Sequence, residues 1–171
     1  MTRLTLLRHA KSSWAEISLS DHERVLSERG ERDAPKMGKR LAIRKVRPSL
    51  IISSTAARAR RTASLIAEAL KYPVEFLQSE KDLYLSTPEA IIELVAGQED
   101  NFSDLMVVAH NPGLTDLANQ LLPALQLDNL PTCGAVAIEF DTKKWSEIAN
   151  AETKLVFYDY PKNPELLLIE D

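Results

Sequence analysis

Apolar and polar residues fall in blocks along this chain, and the blocks switch between strand-like and helix-like periods. Residues 2–7 gather Leu4, Leu6 and Leu7 into a short apolar run and predict a first strand. Ser27 then stands as a helix cap. Ala34, Met37, Leu41 and the stem of Lys45 follow at helical spacing, which predicts a helix over about 28–45. Pro48 leads into Leu50-Ile51-Ile52, a second strand, and Ala59, Ala63, Ile66 and Leu70 mark one face of a helix starting near Ala56. A third, weaker strand is expected over 74–77. Thr87-Pro88 reads as an N-cap with proline at the first helical position, and Ile91, Leu94 and Val95 would face the core. Residues 104–109 carry Leu-Met-Val-Val-Ala, a run suited to a strand buried on both faces. Leu114, Leu117, Ala118 and Leu121 mark another helix. Residues 135–140 and 154–158 predict two late strands, as a hairpin or sheet edge, and the polar stretch 141–150 between them has no clear period.

Strands alternating with helices predict an α/β fold, a three-layer α/β/α sandwich around a mostly parallel sheet. The 171 residues suit one domain over the whole chain, long enough to bury a sizeable core. With 44% hydrophobic and 27% charged residues the composition is that of a soluble globular protein. No apolar run approaches the roughly 20 residues of a membrane span, and the short apolar stretch before Arg8 is too brief for a signal peptide, so a cytoplasmic location is expected. The single cysteine, Cys133, allows no internal disulfide framework and reads as a small residue in a Thr-Cys-Gly turn. Three histidines and one cysteine leave little for a structural zinc site.

The net charge of −4 hides a division. Residues 1–71 carry +9, including all eleven arginines, and residues 72–171 carry −13. The basic residues do not interleave with stacking aromatics, so no nucleic-acid partner is expected. Lys36, Lys39, Arg40 and Arg44 read as a solvated helix face.

In a parallel sheet, ligands bind beyond the carboxyl ends of the strands. The first strand ends at Arg8-His9, the second at Ser53-Ser54-Thr55 ahead of Arg58, Arg60 and Arg61, and the run at 104–109 ends at His110. Each has an ordinary reading: strand-end histidines are often structural, and arginines early in a helix are usually solvated. Those arginines also oppose the helix dipole, which hints that Arg58 is kept for a ligand. Together, two histidines, several arginines and a helix N-terminus suit a dianion such as a phosphoryl group. His22, in a polar loop, reads as a surface or pocket-rim residue.

Leu7-Arg8-His9-Ala10-Lys11, then Ser53-Ser54-Thr55-Ala56-Ala57-Arg58-Ala59-Arg60-Arg61-Thr62-Ala63, then Ala109-His110-Asn111-Pro112-Gly113 resemble, in order, the motifs of the histidine phosphatase superfamily, with the phosphoglycerate-mutase-like fold. The resemblance covers about residues 3–160 and is greatest to SixA-type phosphohistidine phosphatases, through compact length and Asp82-Leu83-Tyr84. It implies His9 as the nucleophile that carries a phosphoryl intermediate, Arg8 and Arg58 as its oxygen-binding cations, and His110 as a donor to a phosphoryl oxygen. It implies no metal and no other cofactor. Asp82 is the best match to the proton donor of ester-cleaving relatives, with Glu80 second. Thr55 stands where relatives often have proline, Arg61 where glutamine is common, and Val25 where proline often follows Arg24. The short stretch between Leu77 and Asp104 leaves little room for a lid, so an open pocket is expected. The implied partner is a phosphohistidine-bearing protein, or else a small phosphate ester such as a sugar or nucleotide phosphate. A non-catalytic phosphate-binding module is the alternative from another class.

Overall fold

The computed structural model describes residues 1–165. Six strands form one sheet: β1 (Thr2–Arg8), β2 (Leu50–Ser54), β3 (Gln78–Glu80), β4 (Asp104–Ala109), β5 (Ala135–Phe140) and β6 (Thr153–Asp159). Their order is β3-β2-β4-β1-β5-β6. The first four neighbours run parallel, and β5 and β6 are antiparallel additions. The expected mixed α/β architecture is therefore the observed one.

Four helices complete it: α1 (Glu28–Ile43), α2 (Ala57–Ala69), α3 (Pro88–Ala96) and α4 (Gly113–Leu121). The central strands are apolar on both faces because both faces are covered. Leu4, Leu6, Ile52, Leu105 and Val107 pack with residues of α3 and α4, while Leu7, Ile51, Met106 and Val108 pack with residues of α1 and α2. Ser27 and Thr87 cap α1 and α3 as the sequence predicts, each accepting a bond from a backbone N–H three residues on. Ile91 and Val95 are buried, and Leu94 packs against the core from a partly buried position.

Three expectations need correction, and a stretch left without a period acquires structure. Residues 74–77 are not a strand: Val74–Phe76 is a 3-10 turn after Pro73, with Val74 and Phe76 exposed, and the edge strand begins one turn later at Gln78. Helix α1 stops at Ile43 instead of running to Lys45. Lys45 adopts a positive φ of 61°, and the N–H groups of Lys45 and Val46 turn back onto the carbonyls of Ala42 and Leu41, closing the helix with a Schellman motif. Arg40 and Arg44 are not a solvated face. They reach the carboxylate of Asp159, which is fully buried, at 2.8 and 2.9 Å. The polar stretch after β5 hides a 3-10 helix, Trp145–Asn150, whose Trp145 is buried against Phe140 and donates to the Phe102 carbonyl. Among the described residues no helix is long and apolar enough to cross a membrane.

Candidate active site

The sheet order brings three chemistry-bearing strand ends together. β4 lies between β2 and β1, and register pairs Arg8 with Ala109, so His9 and His110 are the next residues of neighbouring strands. Their rings stand 5.1 Å apart between centroids. Arg58 enters from the first turn of α2, which follows β2. His9, Arg58 and His110 are all buried, with 7%, 3% and 3% of their surface exposed. Four of the five sequence-predicted site residues thus meet: Arg8, His9, Arg58 and His110.

Backbone contacts fix His9. Its N–H bonds to the Ala109 carbonyl, and its own carbonyl accepts from Cys133. The Ala10 N–H bonds to the Thr62 hydroxyl, which donates in turn to the Arg58 carbonyl, tying the β1 loop to α2. The imidazole Nδ1 lies 2.7 Å from the Ala10 carbonyl, an acceptor, so Nδ1 carries the proton. Nε2 faces the Nε–H of Arg58 at 3.4 Å. A donor pointing at Nε2 requires a bare lone pair there. Burial holds His9 down to about 4, opposed by the Ala10 bond and reinforced by the positive charges of Arg58, Arg8 and Arg24. The ring is therefore neutral at physiological pH, with Nε2 unprotonated. Burial also lowers His110, to about 3, with the neighbouring His9 next in importance.

Among the described residues several buried side-chain nitrogens have no partner. Arg8 donates one Nη to the Leu130 carbonyl, which also receives the Asn111 amide, but its Nε is buried and unpaired. Arg24 Nη1 and His110 Nδ1 are unpaired as well. Buried donors without acceptors cost free energy, on the order of 1–3 kcal/mol each. The two guanidinium donors, with the unpaired His110 nitrogen beside them, suit an anionic ligand. Among the described residues, no group of three or more His, Cys, Asp or Glu side chains is placed to hold a metal ion.

The loop 20–24 and the segment after β3 bring further side chains to the site, of which the sequence reading singled out His22 as a surface or rim residue. Asp21 accepts from Arg58 twice, through its carbonyl at 2.6 Å and its carboxylate at 3.1 Å. Tyr84 donates its hydroxyl to that carboxylate, and this bond, together with Arg58 and against partial burial, holds Asp21 below the usual carboxylate range. Tyr84 packs edge-on against both His110 and His22, and His22 Nε2 meets the Thr55 hydroxyl at 2.8 Å, so His22 is a rim residue. Arg24 is 9% exposed, lies 3.5 Å from the centre of the Trp14 ring and pairs with Asp21. Asp21 and Tyr84 thus join the site through Arg58 and His110. Tyr84 was in view as part of Asp82-Leu83-Tyr84; Asp21 had no periodic signal to find it by.

Asp82 is exposed in the 3-10 turn Lys81–Leu83. Glu80 ends β3, in register with Ser54. Neither joins the hydrogen bonds of the site among the described residues.

A family model described as the histidine phosphatase superfamily (branch 1) matches residues 4–83. A chloroplastic protein of Arabidopsis thaliana, uncharacterised, is 35% identical over 153 residues, covering 85% of this chain and 69% of that one. A solved structure from Agrobacterium tumefaciens, assigned as the phosphohistidine phosphatase SixA, superposes with a TM-score of 0.76 at 28% identity, covering 94% of this chain and 98% of its own. The protein histidine phosphatase SixA complexed with tungstate superposes at 0.80 and 18% identity, over 95% and 99%, a likeness of fold alone. The pairing of β1 with β4 that sets His9 beside His110 and the matches of sequence and fold agree: the chain belongs to the histidine phosphatase superfamily, branch 1, and is SixA-like within it.

Proposed function

We propose that this chain is a phosphatase that works through a phosphoryl intermediate on His9, and that its substrate is phosphohistidine on a protein. One observation carries the reading: a neutral, buried imidazole whose Nδ1–H is held by the Ala10 carbonyl and whose bare Nε2 faces the Arg58 guanidinium. A structural histidine has no need of that arrangement. A nucleophile has.

In the first step the Nε2 lone pair of His9 attacks phosphorus. The N–P bond forms as the bond to the leaving atom breaks, and the leaving atom keeps the electron pair. Arg8, Arg58 and His110 hold the three phosphoryl oxygens and offset the charge that gathers on them. In the second step a water oxygen attacks phosphorus, the N–P pair returns to Nε2, and the water proton is released. No step is assigned to a metal ion.

The leaving-group proton separates substrate classes. An alkoxide needs a good acid, whereas an imidazole leaving group takes its proton readily. Asp82, the acid the resemblance implies, stands in solvent. Asp21 is held as a carboxylate by Tyr84 and Arg58. A site without a ready acid supports phosphohistidine over esters. The second reading is a small phosphate ester, to which the side chains of Asp21 and Tyr84, beside Arg58 and His110, offer further contacts.

The test is a rate comparison between a phosphohistidine-bearing protein, p-nitrophenyl phosphate and a panel of sugar and nucleotide phosphates, with and without EDTA. The proposal expects the phosphohistidine protein to be turned over fastest, with EDTA inert and Asp82→Asn changing that rate less than twofold. Faster ester hydrolysis, impaired in Asp82→Asn, would establish the second reading. Phosphate binding without turnover of anything would leave a binding module.

A further inference from the structure

One buried hydroxyl beside the site has a proton whose destination fixes the chemistry of its neighbour. Ser54, the last residue of β2, is fully buried. Its Oγ accepts the N–H of Ala56 at 3.2 Å, a local turn at the start of α2. The same Oγ lies 2.7 Å from Nε2 of His110. A serine hydroxyl has one proton to donate. Among the described residues the acceptor within reach of it is His110 Nε2. With that proton given to His110, Nε2 is the bare nitrogen of the ring and the ring proton sits on Nδ1, whereas the opposite tautomer leaves the buried hydroxyl proton without an acceptor.

Nδ1 of His110 is itself buried and makes no hydrogen bond among the described residues. An Nδ1–H in that position is a donor without an acceptor, and its ring stands 5.1 Å from that of His9. We infer that Ser54 is a positioning residue of this active site: its hydroxyl caps Nε2 of His110 and so commits the neutral ring to the Nδ1–H tautomer, leaving Nδ1–H as the atom that donates to the phosphoryl oxygen. This rests on the phosphatase reading above. It makes His110 a neutral donor, fixed by a hydroxyl from the neighbouring strand instead of by a carboxylate. The two histidines of the site then share one tautomer and divide its two nitrogens. His9 spends its Nδ1–H on backbone and uses Nε2 as nucleophile; His110 spends Nε2 on Ser54 and uses Nδ1–H as donor.

Long-range 1H–15N spectra of histidine-labelled protein read the tautomer directly, and with three histidines the His110 signals are assigned by their loss in His110→Asn. The expected result for resting wild type is a protonated Nδ1 and a bare Nε2 on His110. A protonated Nε2 overturns the inference. In Ser54→Ala the ring should shift toward the Nε2–H tautomer, with vanadate affinity and kcat each falling about tenfold, the worth of one good hydrogen bond. Ser54→Thr, which keeps the hydroxyl, should restore all three readouts. Unchanged tautomer and affinity in Ser54→Ala would overturn the assignment. Should Ser54→Ala not fold, His110→Asn and His110→Gln decide. The Asn amide nitrogen overlays Nδ1 and the Gln nitrogen overlays Nε2, so His110→Asn should bind vanadate more tightly, and the reverse order would contradict the inference. The spectrum of the resting protein separates this claim from the function it serves. An Nδ1–H tautomer in a chain inert to every phosphorylated substrate would uphold the role of Ser54 and refute the phosphatase, and an Nε2–H tautomer in an active enzyme would do the opposite.

Discussion

At the scale of single residues the site is a set of protonation states imposed by burial. His9 is an ordinary imidazole kept neutral by desolvation and three nearby arginines, with its Nδ1–H fixed on one backbone carbonyl as the proposed nucleophile requires. The kinetic consequence has a definite sign. A histidine lowered from its usual 6.5 to about 4 stays deprotonated as the pH falls through the range where a free histidine would charge. The profile of kcat/KM, corrected for titration of the substrate, should show no acid limb near 6.5 and should fall only as the pH approaches about 4. A limb near 6.5 would mean a solvated His9 and contradict the burial argument. The sequence made Arg8, His9, Arg58 and His110 legible because each follows a strand end or opens a helix, where period and chemistry coincide. Asp21 and Tyr84 were not placed at the site from sequence because they come from loops, and loop geometry has no period. Ser54 was legible as a strand end, but its bond to His110 spans 56 residues.

Elements carry the site by ending where they do. Both helices on the α1–α2 face close with a lysine in the left-handed region: Lys45 at φ 61° and Lys71 at φ 58°. After α2, Lys71 N–H bonds to the Glu68 carbonyl and Tyr72 N–H to the Ala67 carbonyl, the same motif as after α1. Glycine is the residue this geometry favours, and a side chain there costs on the order of 1 kcal/mol. Lys71→Gly should therefore raise stability by about 0.5–1 kcal/mol in chemical denaturation without changing the slope; a loss of stability would contradict the strain argument. A helical pattern running through Lys45 concealed the first of these stops, because Schellman closure depends on one backbone angle and leaves hydrophobic spacing intact. The same limit explains Arg40 and Arg44. Helical spacing put them on one face, but their partner Asp159 lies 119 and 115 residues away, on β6. Residues 74–77 were apolar enough to read as a strand, and the turn after Pro73 overrode that pattern.

For the whole molecule, the burial that makes the site reactive also makes the fold sensitive to acid. Two histidines lowered to about 4 and about 3 bind protons in the unfolded chain well before they do in the folded one. From 6.5 downward the unfolded state therefore takes up more protons, and stability falls with pH until the folded values are reached. Asp159, held low by Arg40, Arg44 and Asn163 despite its burial, works in the same direction, losing its contribution as acid protonates it. Asp104, pushed up to about 6 by burial, opposes them between 3.8 and about 6, because there the folded state holds the extra proton. The net expectation is a decrease in thermal midpoint between neutral pH and about pH 4, and His110→Asn should flatten it; a midpoint that rises on acidification would refute the account. The strand order that places β4 between β2 and β1 was legible only as alternation of elements, since pairing partners are set by packing across the sheet. That order is what brings three strand ends into one site, where we propose that His9 carries the phosphoryl group. Rapid quench of the enzyme with a phosphohistidine-bearing protein, followed by intact mass and peptide mapping under alkaline conditions that preserve phosphohistidine, tests it most directly. One added phosphoryl group is expected on the peptide containing His9, absent in His9→Ala, which should also lose turnover. Turnover that persists in His9→Ala, or a phosphoryl group found on another residue, would contradict it.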